Sequence, residues 1–488
     1  MRSASDDDSD DAVATLGRRR LALAIALGTL VAAVLLISYL RIGRSWPRES
    51  HLGYAEGIWI GIAIDAAKGV FYRPLEGPLG YGGTRYFPLF FGLHGLLIRV
   101  GVTPIIAGHA LAALAVILLV AAIFVFLRRT GASLLLSTAG SAVALACQPV
   151  QMALLTIRGD ALPAALSIMG LSACLRPEVR LAAPLLFTLA FAAKPTSLYA
   201  PAGAVITMLL LGRRSDALRI AAGTAVGMAL VLVVMAVVSG NRVFGVLAAS
   251  AAGGAAWHSL AGAPLSLARI LRRTPEVVFL LQLAAAWLLA RGRRALTLEV
   301  LTGVVCCAAT AAIYASPATV ENHLIDLTVM AVLVLVAIAG RDPRAGEAVM
   351  ALLLVGGLAA VSQAAWRFGT EDTQSLRYAR LDALSAVADA RRPVFFEQPM
   401  LPAHLGEPSY LVDPYQFSTR VSRDRTAMIR LLRDLDDRTF GALVLEHPDP
   451  ALSVSDLPLE AAHDFLAALD RNYRLHEIVD GRAIYRPR

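Results

Sequence analysis

The sequence predicts a polytopic α-helical membrane protein of about eleven spans that carries a small α/β domain at its C-terminal end. Three observations predict it. Hydrophobic residues make up 57% of the 488-residue chain and charged ones only 17%, and the charges crowd into short stretches between long charge-free runs. Arginine clusters recur at alternate loops. From about residue 367 the composition turns soluble, with short β-type runs alternating with helical periodicity.

Residues 1–20 are acidic and Ser-rich, with Asp6, Asp7, Asp8, Asp10 and Asp11, and read as a disordered cytoplasmic tail. The apolar run 21–40 is longer than a signal-peptide core, and no small-residue cleavage pattern follows it, so it reads as a retained anchor. Residues 104–127 and 216–239 are further runs near the ~20 residues that a span needs.

Six clusters flank the spans: Arg18, Arg19 and Arg20; Arg128 and Arg129; Arg176 and Arg180; Arg213 and Arg214; Arg291, Arg293 and Arg294; Arg341 and Arg344. The positive-inside rule makes them cytoplasmic. The spans between them come in pairs, so the loops beginning near Arg41, Val150, Lys194, Gly240 and Tyr314 face outward. The last span, near 347–365, then leaves 367–488 outside as well. The formal charge of +8 follows the span ends rather than one soluble face, so it speaks for orientation and not for a nucleic-acid partner.

Residues 86–100 are apolar but short, and contain Pro88, His94 and Arg99. A span there would carry every later arginine cluster across the membrane. The segment is therefore placed as an interfacial or re-entrant helix in a long first outer loop, 41–103. The membrane domain is 21–366. In the terminal domain, 367–488, strands are expected at 393–396, 441–445, 473–479 and 482–485, and helices at 426–435 and 459–469. Cys147, Cys174, Cys306 and Cys307 fall in apolar segments without metal-ligand spacing and read as packing residues.

Ionisable residues at membrane depth are costly and mark function. Four groups fall at outward span ends: Glu56 with Asp65, Lys68, Tyr72, Arg73 and Arg85-Tyr86 in the first loop; Arg158-Gly159-Asp160; Lys194-Pro195-Thr196; and Glu321-Asn322-His323 with Asp326. Their common side points to one shared site. Lys194 is one of two lysines among 45 basic residues. A compact ammonium there suits a phosphate oxygen, or simply snorkels to the interface. Glu56 precedes a helical stretch and suits either a helix-initiating acid or a general base. In the terminal domain, Glu397-Gln398-Pro399 and Asp413-Pro414-Tyr415 suit an acceptor groove or turns.

Tyr54-Ala55-Glu56-Gly57, Lys68-Gly69-Val70-Phe71-Tyr72-Arg73, Tyr86-Phe87-Pro88-Leu89, Arg158-Gly159-Asp160-Ala161-Leu162, Ala193-Lys194-Pro195-Thr196 and Glu321-Asn322-His323-Leu324 occur in this order. Together they resemble the GT-C superfamily, the multi-spanning glycosyltransferases that use polyprenyl-phosphate-linked sugars. That superfamily includes protein O-mannosyltransferases and lipid A aminoarabinose transferases. Its members commonly carry paired acids in the first loop; here Ala55 stands in the first of the two places, so Glu56 is the one acid at this motif.

The resemblance implies a sugar transferase acting on the outer face. Glu56 and Asp160 are its catalytic candidates; Lys194, Arg158, Arg85, Tyr86, Glu321 and His323 are its substrate-binding candidates. Lys194, with Arg158 or Arg85, would hold the lipid phosphate, and Glu56 would take the acceptor's proton. The implied partners are a polyprenyl-phosphate sugar donor, membrane lipid, and a glycan, lipid or protein acceptor. No cofactor is required by these residues, and dependence on a divalent metal stays open. The alternatives are a transporter or flippase for a lipid-linked or sugar substrate, and a non-catalytic cell-envelope assembly protein. High alanine and arginine with few lysines suggest a GC-rich bacterium, and hence a multi-pass protein of the inner membrane with its C-terminal domain periplasmic or extracellular.

Overall fold

The computed structural model describes residues 4–48, 52–252, 257–291, 296–316, 319–341, 343–370, 392–479 and 481–488. A helical bundle is built from α1 (Ala4–Arg48), α2 (Tyr54–Ala67), α3 (Pro88–Arg99), α4 (Pro104–Arg129), α5 (Leu134–Ala146), α6 (Gln148–Leu155), α7 (Ala161–Cys174) and α8 (Ala182–Ala193). It continues through α9 (Tyr199–Leu210), α10 (Arg214–Ser239), α11 (Arg242–Ala252), α12 (Trp257–Leu271), α13 (Pro275–Arg291), α14 (Leu298–Ile313), α15 (Ile325–Gly340) and α16 (Pro343–Thr370).

Among the described residues five helical segments are long and apolar enough to cross a membrane: 21–47, 104–129, 214–239, 321–340 and 345–370. The pairs α5–α6, bent by 65°, and α12–α13, bent by 113°, raise this to seven if each is one span. The expected count of about eleven also needs the shorter apolar helices α7, α8, α9 and α14 to cross. Burial orders the bundle. The 321–340 segment is 83% buried and forms its axis, against α4, α5, α13, α14 and α16. The 214–239 segment is only 22% buried. It turns Leu218, Val226, Leu230, Val233 and Val237 outward, as a helix facing lipid does.

Two expectations change. The tail expected to be disordered over 1–20 is helical from Ala4 onward, continuous with the first apolar run. Once the span nucleates a helix, extending it costs little per residue. The boundary at 367 also moves, because α16 runs to Thr370; residues 371–391 lie outside the described ones. The segment 86–100 forms α3, 12 residues long and packed on α2 and α4. His94 is fully buried there and its Nε2 donates to the Pro104 carbonyl at 2.7 Å. That bond closes the α3–α4 turn, and His94 is a structural residue.

The C-terminal domain is a four-stranded mixed sheet in the order β3-β4-β6-β5, with β3 (Val394–Phe396) parallel to β4 (Ala442–Leu445) and β6 (Arg482–Pro487) antiparallel to both β4 and β5 (Tyr473–Val479). Its helices are α17 (Met400–His404), α18 (Pro414–Val421), α19 (Ile429–Asp436), α20 (Pro450–Ser453) and α21 (Leu459–Asn472). Successive residues of β4 serve opposite faces, as strand geometry requires. Leu443 and Leu445 pack with Leu431, Leu435, Phe465 and Leu469. Ala442 and Val444 pack with Phe396, Leu401 and Ile484.

The first loop fastens this domain to the bundle. It contributes a short hairpin, β1 (Glu76–Gly77) with β2 (Gly80–Tyr81). Tyr81 N–H donates to the Tyr410 carbonyl at 2.8 Å, and Val412 N–H to the Tyr81 carbonyl at 3.1 Å. Arg73 is held by Asp65 at 2.5 Å and donates to the Ser409 carbonyl at 2.7 Å. On α2, a Cβ at Gly57 would lie 2.3 Å from Met400 N, so only glycine admits α17 this close.

Candidate active site

Five segments far apart in sequence meet around one cavity of about 970 Å³. The start of α2 and the 85–87 turn form part of the wall. The mouth of α7, the α8–α9 junction and the turn between α14 and α15 form the rest, and the C-terminal domain adds Asp413, Tyr415 and Asp456. Glu56, Arg85, Tyr86, Arg158, Asp160, Lys194 and His323 all lie on this wall. Glu321 does not. It pairs instead with the exposed Arg273 at 3.5 Å, although it precedes His323 by only two residues in a 3₁₀ turn, Glu321–Leu324.

Local sequence explains where the charges fall. Lys194 ends α8 in an extended conformation, φ −160° and ψ 119°, as the following Pro195 demands. A cation is favoured at that helix terminus. Asp160 begins α7, where an acid is favoured, yet its side chain makes no capping bond. Its oxygens bind other segments: Oδ1 accepts from Lys194 Nζ at 2.6 Å and Oδ2 from Asn322 Nδ2 at 2.7 Å. Lys194 Nζ also lies 3.4 Å from His323 Nδ1. Asp160 is 7% exposed and Lys194 19%, so the acid is the buried anchor and the ammonium reaches the cavity.

Glu56 takes the first of the two parts that the sequence left open, the acid at the start of a helix. Its Oε2 accepts from Gly53 N–H at 2.9 Å, tying the start of α2. Its Oε1 accepts from Arg158 Nε at 2.5 Å. The carboxyl is 2% exposed and Arg158 20%. A guanidinium carries five N–H donors, and among the described residues Glu56 takes the one hydrogen bond shown for Arg158. The rest of that fork is available to an anion in the cavity.

Aromatic residues complete the wall. Trp59 and Tyr86 lie against each other with ring centroids 4.1 Å apart and planes tilted by 32°, and the Tyr86 carbonyl accepts from the Tyr72 hydroxyl at 2.9 Å. Arg85 lies 5.7 Å from the centre of the Tyr415 ring. Tyr415 N–H donates to the Tyr54 hydroxyl. Asp413 is the N-cap of α18, and its Oδ1 accepts from Gln416 N–H at 3.1 Å. Burial raises its carboxyl to about 6, against the opposing pull of Arg85.

Trp59 escaped sequence reasoning, since an aromatic residue in an apolar helix carries no distinguishing signal, and Tyr54 entered it only as the first residue of the Tyr54-Ala55-Glu56-Gly57 motif. Of the two tripeptide candidates in the terminal domain, the second reaches the cavity through Asp413 and Tyr415. Glu397 instead accepts from Glu446 N–H at 2.8 Å. Asp65 is committed to Arg73, Asp326 accepts from the Tyr199 hydroxyl at 2.8 Å, and Lys68 stands 4.0 Å from Glu407.

The donor set does not suit a divalent cation. Both Glu56 oxygens hold N–H donors, Ala55 offers no second acid, and Asp160 is bound to Lys194 and Asn322. Among the described residues no group of three or more His, Cys, Asp or Glu side chains is placed to hold a metal ion.

No family profile and no curated protein matches the sequence. Solved structures do match the fold. Crystal structures of ArnT from Cupriavidus metallidurans, one bound to undecaprenyl phosphate and one apo, align over 94% of this chain and 97% of theirs, with TM-score 0.59 and identities of 12% and 13%. The apo oligosaccharyltransferase of Archaeoglobus fulgidus aligns over 95% of this chain and 74% of its own, at TM-score 0.57 and 12% identity. At such identities the likeness is one of fold, and it extends over bundle and C-terminal domain together.

Proposed function

We propose that this chain, which has the GT-C fold, is a membrane glycosyltransferase that moves a sugar from a polyprenyl-phosphate-linked donor to an acceptor hydroxyl. The observation that carries the reading is a pair of cations, Lys194 and Arg158, each anchored by a buried acid and each opening on the same cavity at helix ends. The fold relatives bound to undecaprenyl phosphate and, in the archaeal oligosaccharyltransferase AglB, to a dolichol-phosphate support a lipid phosphate as the ligand.

In this reading the lipid phosphate enters beside α8 and α14 and is held by Lys194 Nζ and the Arg158 guanidinium. The acceptor oxygen attacks the anomeric carbon as the bond from that carbon to the phosphate oxygen breaks. The electron pair leaves with the phosphate, and fixed positive charge lowers the energy of that developing charge. Asp160 positions Lys194 and draws the 322–323 turn into the site through Asn322. Trp59 and Tyr86 offer a flat apolar face beside the sugar. Glu56 positions Arg158, which revises the expectation that it acts as the base, because its two oxygens are occupied by Gly53 N–H and Arg158. By the distribution of arginine clusters the site faces the outer side of the membrane, and the alanine- and arginine-rich, lysine-poor composition favours a bacterial inner membrane. A transporter or flippase would place its polar site near mid-membrane among broken helices; these charges gather at helix ends beside the C-terminal domain.

The test is transfer by the purified full-length protein in lipid vesicles, with a panel of undecaprenyl-phosphate hexoses and pentoses. Release of undecaprenyl phosphate that depends on Lys194 and Arg158 supports the reading. Vesicle flipping of the donor without turnover would replace it with transport.

A further inference from the structure

The cavity holds a second buried acid, from a part of the chain that the membrane motifs do not include. Asp413 is 1% exposed and lies on the cavity wall. Its Oδ1 serves as the α18 cap, whereas Oδ2 is buried without a hydrogen bond of full geometry. The Tyr54 hydroxyl and the Tyr415 N–H make looser hydrogen bonds to the same carboxyl. A buried carboxylate oxygen held only by loose donors is costly, and an incoming hydroxyl would relieve that cost.

Resting on the transferase reading, we infer that Asp413 binds the acceptor hydroxyl and takes its proton, so that the C-terminal domain supplies the acceptor half of the site. The contrast with Glu56 carries this assignment. Glu56 accepts a bond of full geometry on each oxygen, whereas Asp413 does so on Oδ1 alone and its Oδ2 can take a closer donor from the substrate. Position agrees, since Tyr86 is in electrostatic reach of Asp413 as well as of Arg158 and Asp160, the donor-side pair. The step balances: the acceptor oxygen bonds to the anomeric carbon, its proton passes to Asp413 Oδ2, and the sugar–phosphate bond breaks with its electrons on the phosphate. The proton then leaves for water at the cavity mouth, where Asp456 is exposed. Arg85, Tyr54, Tyr81, Tyr86 and Tyr415 face Asp413. Burial holds its carboxyl at about 6, near the working range that suits a general base.

The experiment compares wild type with Asp413→Asn in the full chain in vesicles, using undecaprenyl phosphate alone as binding probe and undecaprenyl-phosphate sugars with n-octyl glycosides for transfer. Asn caps a helix about as well as Asp, so the variant loses little besides the proton-accepting oxygen. Unchanged undecaprenyl phosphate binding, a turnover reduced by about 10²-fold or more, loss of the acid limb of the rate profile, and partial rescue by Asp413→Glu are expected. Turnover in Asp413→Asn at the wild-type rate with the wild-type pH profile overturns the assignment and leaves the transferase reading standing. No turnover from folded wild type with any donor overturns both. Should Asp413→Asn lose its thermal transition, the wild-type profile decides: a rate that stays flat between about pH 5 and about pH 7 overturns the assignment.

Discussion

Arg158 Nε donates to Glu56 Oε1 at 2.5 Å across 102 residues of sequence, and Glu56 in turn holds the N–H of Gly53. One buried carboxyl therefore sets both the start of α2 and the direction of a cavity cation. Glu56→Gln keeps an oxygen for Gly53 and removes the charge from Arg158. The new amide N–H faces the Arg158 Nε–H, so a stability loss of about 1–3 kcal/mol is expected, with turnover down about 10-fold and the acid limb of the pH profile kept. Loss of that limb in Glu56→Gln would restore Glu56 as the base. Glu56→Ala leaves Arg158 and Gly53 N–H without partners and should cost about 2 kcal/mol or more, read by thermal unfolding.

Lys194 and Asp160 should behave as one unit. Each single alanine variant strands the other charge in a buried setting, so a double-mutant cycle on stability is expected to show coupling of about 1–3 kcal/mol. Lys194→Ala should weaken undecaprenyl phosphate binding by about 10-fold or more. Additive single variants would show that the 2.6 Å contact carries no weight.

Burial lifts Asp413 to about 6 from 3.8. The folded protein then binds this proton more tightly than the unfolded chain does. The group costs nothing below about pH 4, its penalty grows as pH rises, and the penalty is complete above about pH 6. Asp413→Asn removes it. The variant should match wild type near pH 4 and be more stable by about 2–3 kcal/mol at pH 7. A stability difference that does not change with pH would contradict the burial of a charged carboxylate there.

Gly57→Ala places a methyl 2.3 Å from Met400 N, a backbone atom that cannot turn aside. The C-terminal domain must shift from α2, at a cost of about 1–3 kcal/mol. Transfer activity should fall with it, since Asp413 and Tyr415 ride on that domain. Limited proteolysis of the domain checks the shift, and unchanged cleavage with unchanged turnover would refute it.

Glu321→Ala removes a partner of the exposed Arg273 and touches nothing on the cavity wall. Stability within about 0.5 kcal/mol and unchanged donor binding are expected, as for other surface ion pairs. A large loss of turnover would return Glu321 to the site.

Much of this protein was legible in its residues. Long apolar runs, alternating arginine clusters and the soluble turn after the last span required a membrane bundle with a terminal domain, because hydrocarbon excludes charge and unpaired backbone. Period-2 and helical patterning located β3 to β6 within two residues and α19 and α21 within three, since each pattern reflects a face buried on one core. The order of short motifs marked Glu56, Arg158, Asp160, Lys194 and His323, for ionisable residues at helix ends near a membrane carry a cost that only a partner or a ligand offsets.

What pairs with what was left to the tertiary structure. Sequence placed Glu56 and Arg158 on one side of the membrane and could not show that they share a hydrogen bond. It listed Glu321 beside His323, and a single 3₁₀ turn sent one to Arg273 and the other to Lys194. It left Asp413 as one of two turn acids in the terminal domain, until the first loop clamped that domain over α2 and turned the acid inward. Periodicity and hydropathy act along the chain over a few residues. The paired charges of the cavity are joined by contacts between segments from 34 to 162 positions apart, and only packing decides which buried charges those contacts bring within 3 Å.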